Sequence, residues 1–139
     1  MRLDVSEARA RFSAARVARL CTIGAGSLHP VPVTFACDGD VIVMAVDDKP
    51  KATRELRRLR DIEASPSVAL LVDHYEEDWS RLWWVRAAGS ARVLREAVDM
   101  ARPLDLLARR YQQYRALRPA GPVIRVDVRT WSGWTATDP

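Results

Sequence analysis

Lysine is almost missing from this chain of 139 residues: of its 22 basic side chains only Lys49 and Lys51 are lysines, and arginine supplies the rest. Histidine and cysteine are as scarce, with two of each. His29 and His74 stand in no metal-ligand spacing with each other or with a cysteine, so no metal centre is expected. Cys21 and Cys37 read as buried thiols rather than as a bridge. Long apolar runs are lacking too. The longest, Val41 to Val46 and Ser67 to Val72, fall far short of the roughly twenty residues a membrane-spanning helix requires, and they read as buried strands. The opening segment MRLDVSEARARF is charged and amphipathic without an apolar core, which argues against a secretory leader and makes the cytoplasm the expected compartment. Neither G-x-S-x-G, a P-loop nor G-x-G-x-x-G occurs, so covalent catalysis and the nucleotide folds those motifs mark are not expected. The basic excess is only +4 and is spread along the chain. It allows an anionic partner without pointing to nucleic acid.

What is present is one domain's worth of alternating pattern, expected to span residues 1–139 as a unit. Asp4 followed by Glu7 has the form of a capping box, predicting a helix from Val5 to Ala15. VARLCTIG, HPVPVTFAC and VIVMAV then read as strands, with GAGS and Asp38-Gly39 as hairpin turns. A helix is predicted over Lys51–Ile62, burying Leu56 and Leu59 and turning Arg54, Arg57 and Arg58 to solvent. VALLVD and RLWWVRAAGSARVL follow as strands, with Gly89 marking a bulge or bend. A helical stretch from Glu96 to Ala116 is expected to break at Pro103, before a last strand VIRVDVRTWSGW. Six strands in consecutive hairpins, with three helical regions, predict a mainly β, antiparallel small barrel with helices at its rim.

The two lysines fall together in DDKPKATREL, where a strand ending at Val46 hands over to a helix start. Backbone N–H groups, the positive end of the helix dipole and both ammonium groups converge there on a phosphate-sized anion site. Pro50 suits the first helical turn, where a missing N–H costs nothing. The plainer alternative is a solvated helix start with surface lysines. His74, beside Glu76, Glu77 and Asp78, reads as part of a charged loop.

The run from VARLCTIG to VALLVDHY, the strand WWVRAAGSARVL with its V-R-x-x-G, the Tyr-x-x-Tyr of RRYQQYR and the terminal WSGW occur in an order that resembles a known family. It is similar to the split β-barrel flavin and deazaflavin proteins related to pyridoxamine 5′-phosphate oxidase, in particular the actinobacterial enzymes that use coenzyme F420. The resemblance implies a homodimer with cofactor sites at the subunit interface and a small-molecule substrate, without nucleic acid or membrane as partner. It places Lys49 and Lys51 on the cofactor phosphate, Val31, Pro32 and Val33 along the ring system, and Val46 with Asp47 at the end of the neighbouring strand. Trp84 takes the place where FMN-using oxidases tend to carry glutamine, a departure that weakens the case for FMN. The implied chemistry is hydride transfer to an unsaturated or carbonyl-type acceptor. His29 is the candidate for substrate contact or proton donation, with a surface histidine as the alternative. Arg54, Arg57 and Arg58 are candidates for holding the coenzyme's polyglutamate tail, and Trp131 and Trp134 for covering the partner's site or packing the interface. An FMN-binding oxidoreductase on the same fold and a non-catalytic module binding cofactor, haem or nucleic acid remain the alternatives.

Overall fold

The computed structural model describes residues 1–46 and 53–137, without the side chains of 53–56. Helix α1 (Val5–Ala14) starts as expected, the Asp4 carboxylate accepting the Glu7 N–H at 2.8 Å. Glu7 turns instead to Arg11 one turn on, at 2.9 Å, so the cap is one-sided. The strands are β1 (Ala18–Gly24), β2 (Ser27–Val33), β3 (Ala36–Asp38), β4 (Val41–Ala45), β5 (Ser67–His74), β6 (Trp83–Leu94) and β7 (Val123–Thr135). Helices α2 (Thr53–Ala64), α3 (Ala97–Arg110) and α4 (Gln112–Ala116) complete the described elements.

Both predicted hairpin turns form. Ala25 and Gly26 adopt φ of 51° and 76°, the pair of left-handed residues a tight β1–β2 turn requires. Gly39 does the same at 60° between β3 and β4. The strands join in one antiparallel sheet of order β2-β1-β5-β6-β7-β4-β3, a split β-barrel architecture with peripheral helices. Seven strands replace the six expected. HPVPVTFAC does not run through: it breaks at Thr34-Phe35, sending β2 to one edge of the sheet and β3 to the other. The break follows from burial, because Phe35 turns fully into the core against Phe12, ring centroids 5.0 Å apart.

One core lies inside the sheet, where α1 contributes Ala8 and Phe12 and α2 contributes Leu59 and Ile62. A second lies outside it, where Met100, Leu104 and Leu107 of α3 cover Ala36, Val43 and Val123. Pro103 sits buried within α3 without breaking it, contrary to the expectation. An interior proline costs about 3 kcal/mol. Burial of three large neighbours on the same face, on the order of 1.5–3 kcal/mol each, outweighs it. The helical stretch breaks instead at Tyr111, whose hydroxyl accepts the Phe35 N–H at 3.2 Å and shares its proton between the carbonyls of Arg16 and Phe35, each 2.9 Å away. Tyr114 reaches the adjacent Thr34 hydroxyl at 2.9 Å. The Tyr-x-x-Tyr motif thus fastens the crossing between β2 and β3.

Gly89 does mark an irregularity. The β6–β7 register shifts there, with Ala88 opposite Thr130 and Gly89 opposite Val128, so Arg129 is the extra residue. A side chain on Gly89 would overlap the Asp127 carbonyl oxygen. Among the described residues no helix is long and apolar enough to cross a membrane.

Candidate functional site

Strand β2 is an edge of the described sheet, and its sequence explains why it stays one. Pro30 and Pro32 have no N–H to give, and alternate prolines are tolerated only where that side of the backbone has no neighbour. The free edge therefore offers carbonyl oxygens at two successive outward positions and no amide donors. Side chains alternate across it: His29, Val31 and Val33 are half-buried toward the core, while Pro30 and Pro32 are exposed.

Helix α2 packs against the hairpin that carries this edge. Asp61, with 14 % of its side chain exposed, lies over Gly24 so closely that any side chain there would collide with its carboxylate. Its Oδ2 is 4.0 Å from Nδ1 of His29. His29 is thus a strand residue facing a helix carboxylate, on the same side of β2 as Val31 and Val33. Asp61 is a residue the sequence reading missed; an acidic residue in mid-helix gives no signal of its own. It also divides the arginine face, since it lies three and four residues beyond Arg58 and Arg57. Arg57 is exposed and Arg58 half-buried.

The other candidates divide between the core, the far side of the sheet and the undescribed stretch. Val46 is 6 % exposed, with its side chain in the inner core and its N–H bonded to the Pro122 carbonyl at 2.9 Å, so only its backbone is left for a ligand. Asp47, Lys49 and Lys51 lie outside the described residues, as does the side chain of Arg54. Trp84 is on β6, three strands from β2 and therefore roughly 14 Å across the sheet. One chain does not bring it to the β2 edge. Trp131 is buried, edge-on to Phe12, with its indole N–H on Asp40 at 2.9 Å, which makes it a core residue rather than a cover for another subunit.

Trp84 belongs instead to a broad outer face. The register sets Pro32, Arg19, Leu71, Arg86 and Ser132 in one row across five strands, and Pro30, Cys21, Ala69, Ala88 and Thr130 in the next. Asp73, Trp84 and Trp134 form a third, with the Arg86 guanidinium 5.6 Å from the Trp84 ring centre. Ile23, Leu28, Leu71 and Trp134 are 37, 69, 40 and 39 % exposed on this side. Cys21 and Cys37 are both free thiols. Burial pushes the Cys37 thiol up, with a hydrogen bond from Ser13 and the Arg110 charge opposing it, so it is held protonated. Among the described residues no set of three or more His, Cys, Asp or Glu side chains is grouped to hold a metal ion.

A family model described as pyridoxamine 5′-phosphate oxidase matches residues 5–135, nearly the whole chain. The chain belongs to that family. No curated protein sequence matches it. Solved structures share the family's fold with this chain at low identity. An FAD-binding protein from Mesorhizobium loti is 18 % identical, with 96 % of this chain and 95 % of that chain covered and a TM-score of 0.74. A conserved protein of unknown function from Corynebacterium diphtheriae is 23 % identical, with 96 % and 94 % covered and a TM-score of 0.69. An FAD and heme binding protein from Mycobacterium smegmatis is 17 % identical, with 99 % and 74 % covered and a TM-score of 0.71.

Proposed function

We propose that this member of the pyridoxamine 5′-phosphate oxidase family is a homodimeric oxidoreductase that binds coenzyme F420 along the β2 edge. Its substrate is a small unsaturated or carbonyl-type molecule. The observation that carries the reading is the edge itself: two alternate prolines leave carbonyl acceptors facing outward beside a helix whose flank holds exposed Arg57. A planar heterocycle with N–H donors fits such an edge, and an anionic chain attached to it fits the neighbouring positive charge. When bound, the coenzyme supplies hydride chemistry; the protein supplies position, exclusion of water and a proton.

In this reading Lys49 and Lys51 hold the phosphate, Arg54, Arg57 and Arg58 the polyglutamate tail, and His29, oriented by Asp61, presents its ring to the acceptor. The outer sheet face supports the homodimer. A row of small side chains at Cys21, Ala69 and Ala88, flanked by exposed Ile23 and Leu71, leaves an apolar strip that a second copy would cover. Such a partner would carry its own Trp84 and Trp134 with it, a route by which tryptophans three and four strands from the edge of their own sheet would reach a cofactor.

A second reading is favoured by the FAD-binding proteins of the same fold: the same edge would take FMN, with the same lysines on its phosphate. Trp84, where FMN-using relatives tend to carry glutamine, weighs against it. The lysines test both. Lys49→Ala and Lys51→Ala should each weaken cofactor binding by roughly 1–3 kcal/mol, the range of a lost charged hydrogen bond, with an unchanged melting curve. Calorimetric affinities equal to wild type in both variants would remove the phosphate site from the account.

A further inference from the structure

The described chain carries a basic concavity apart from the β2 edge. Strand β5 outruns β1: their register ends with Arg19 opposite Leu71, so Asp73 and His74 continue past the point where the chain arrives from α1. Between the end of α1, the start of β1 and the ends of β5 and β6 lies a groove of about 630 Å³. That volume lies within the range of small-molecule sites. Arg11, Arg16 and Arg19 line it together with Asp73, His74 and Trp83.

Two features give the groove a chemical preference. Its aromatic wall is planar: the His74 imidazole stacks on the Trp83 indole, centres 6.2 Å apart and planes 16° apart, and the Arg11 guanidinium lies 5.4 Å from the indole centre. Its positive charge is incompletely matched. Arg11 has Glu7, and Arg19 has Asp73 at 3.7 Å. Arg16 has no carboxylate partner among the described residues; it donates one N–H to the Arg110 carbonyl oxygen at 3.0 Å and rests 4.8 Å over the Tyr111 ring. Held this way, the guanidinium is oriented while its other donors stay free, the condition under which arginine grips a carboxylate or phosphate.

We propose that this groove binds a planar aromatic anion, an aryl or heteroaryl ring bearing a carboxylate or phosphate, the ring against Trp83 and the anionic group on Arg16 and Arg19. No atom of the β2 edge takes part, so the site stands or falls separately from the cofactor reading. Calorimetric titration with 2-naphthoate, adenosine 5′-monophosphate and the neutral 2-naphthamide tests it. At least one of the two anions should bind saturably, at least tenfold more tightly than 2-naphthamide. Which one binds distinguishes an aromatic acid from a nucleotide. Arg16→Gln and Arg19→Gln should each weaken that binding about tenfold, while Arg16→Gln leaves the affinity for F420 or FMN at the wild-type value. Arg19 lies on an exposed strand face, so its variant remains informative should Arg16→Gln fail to fold. Equal affinity for anionic and neutral rings, or wild-type anion affinity in the folded variants, would overturn the proposal.

Discussion

Asp40 shows how much one turn residue can carry. Placed by the β3–β4 hairpin, it accepts the Trp131 indole N–H at 2.9 Å and meets the Arg9 guanidinium at 2.6 Å, linking α1, a turn and β7. The indole hydrogen bond first, and then the bond and charge from Arg9, hold its carboxyl below the usual range. A lowered pKa means the carboxylate contributes stability above the ordinary value, roughly pH 3.9, and that the contribution is lost as pH falls through the lowered one. Asp40→Ala should therefore melt at lower temperature than wild type at pH 7, and the gap should close as the pH is taken below about 4. A gap independent of pH would show that the ion pair and charged hydrogen bond are not its source. At this scale the sequence was partly readable. Asp38-Gly39 announced the turn, but nothing in it announced that the next residue reaches Trp131, because the two are 91 positions apart.

The elements were most legible where local pattern and tertiary demand agree. VIVMAV became a buried strand inside the sheet, GAGS a tight turn, and Gly89 the place where the sheet bulges, opposite the extra residue Arg129. Substituting Gly89→Ala should cost about 1–3 kcal/mol in urea denaturation, the range for overpacking, since the added methyl meets backbone that cannot swing aside. No loss would mean that β7 yields at its bulge. HPVPVTFAC misled because its apolar pattern continues through Thr34 and Phe35, whereas the break is imposed by Tyr111 and Tyr114, 76 and 80 residues away. Pro103 misled for the related reason that packing of α3 outweighs a local penalty. Of the two hydroxyls at the β2–β3 crossing that of Tyr111 makes three hydrogen bonds, so Tyr111→Phe should destabilise the fold by about 1–3 kcal/mol through an unpaired Phe35 N–H and two deprived carbonyls. Equal urea midpoints for wild type and variant would show that water replaces the hydroxyl there.

At the scale of the whole molecule, the family and the architecture were readable from the order of motifs, while the site was readable only as a set of positions. The sequence could place Val31, Pro32 and Val33 on one strand but not show that the prolines keep it at an edge, nor that Trp84 lies three strands away. It could not suggest the groove at Arg16 and Trp83, whose residues come from three separate stretches of chain and share no spacing. In the proposed homodimer Ala69→Glu should shift the protein from dimer to monomer in sedimentation velocity, because a charge in the row of Cys21, Ala69 and Ala88 would be buried without a partner. A dimer of unchanged stability would place the subunit contact elsewhere.

Occupation of the β2 edge by coenzyme F420 is tested by titration of the wild-type protein with F420 and with FMN while tryptophan emission is followed. Saturable quenching by F420 at one equivalent per subunit, with FMN binding more weakly, is the expected result. Tighter binding of FMN would transfer the site to the flavin reading, and binding of neither would contradict the proposed function altogether.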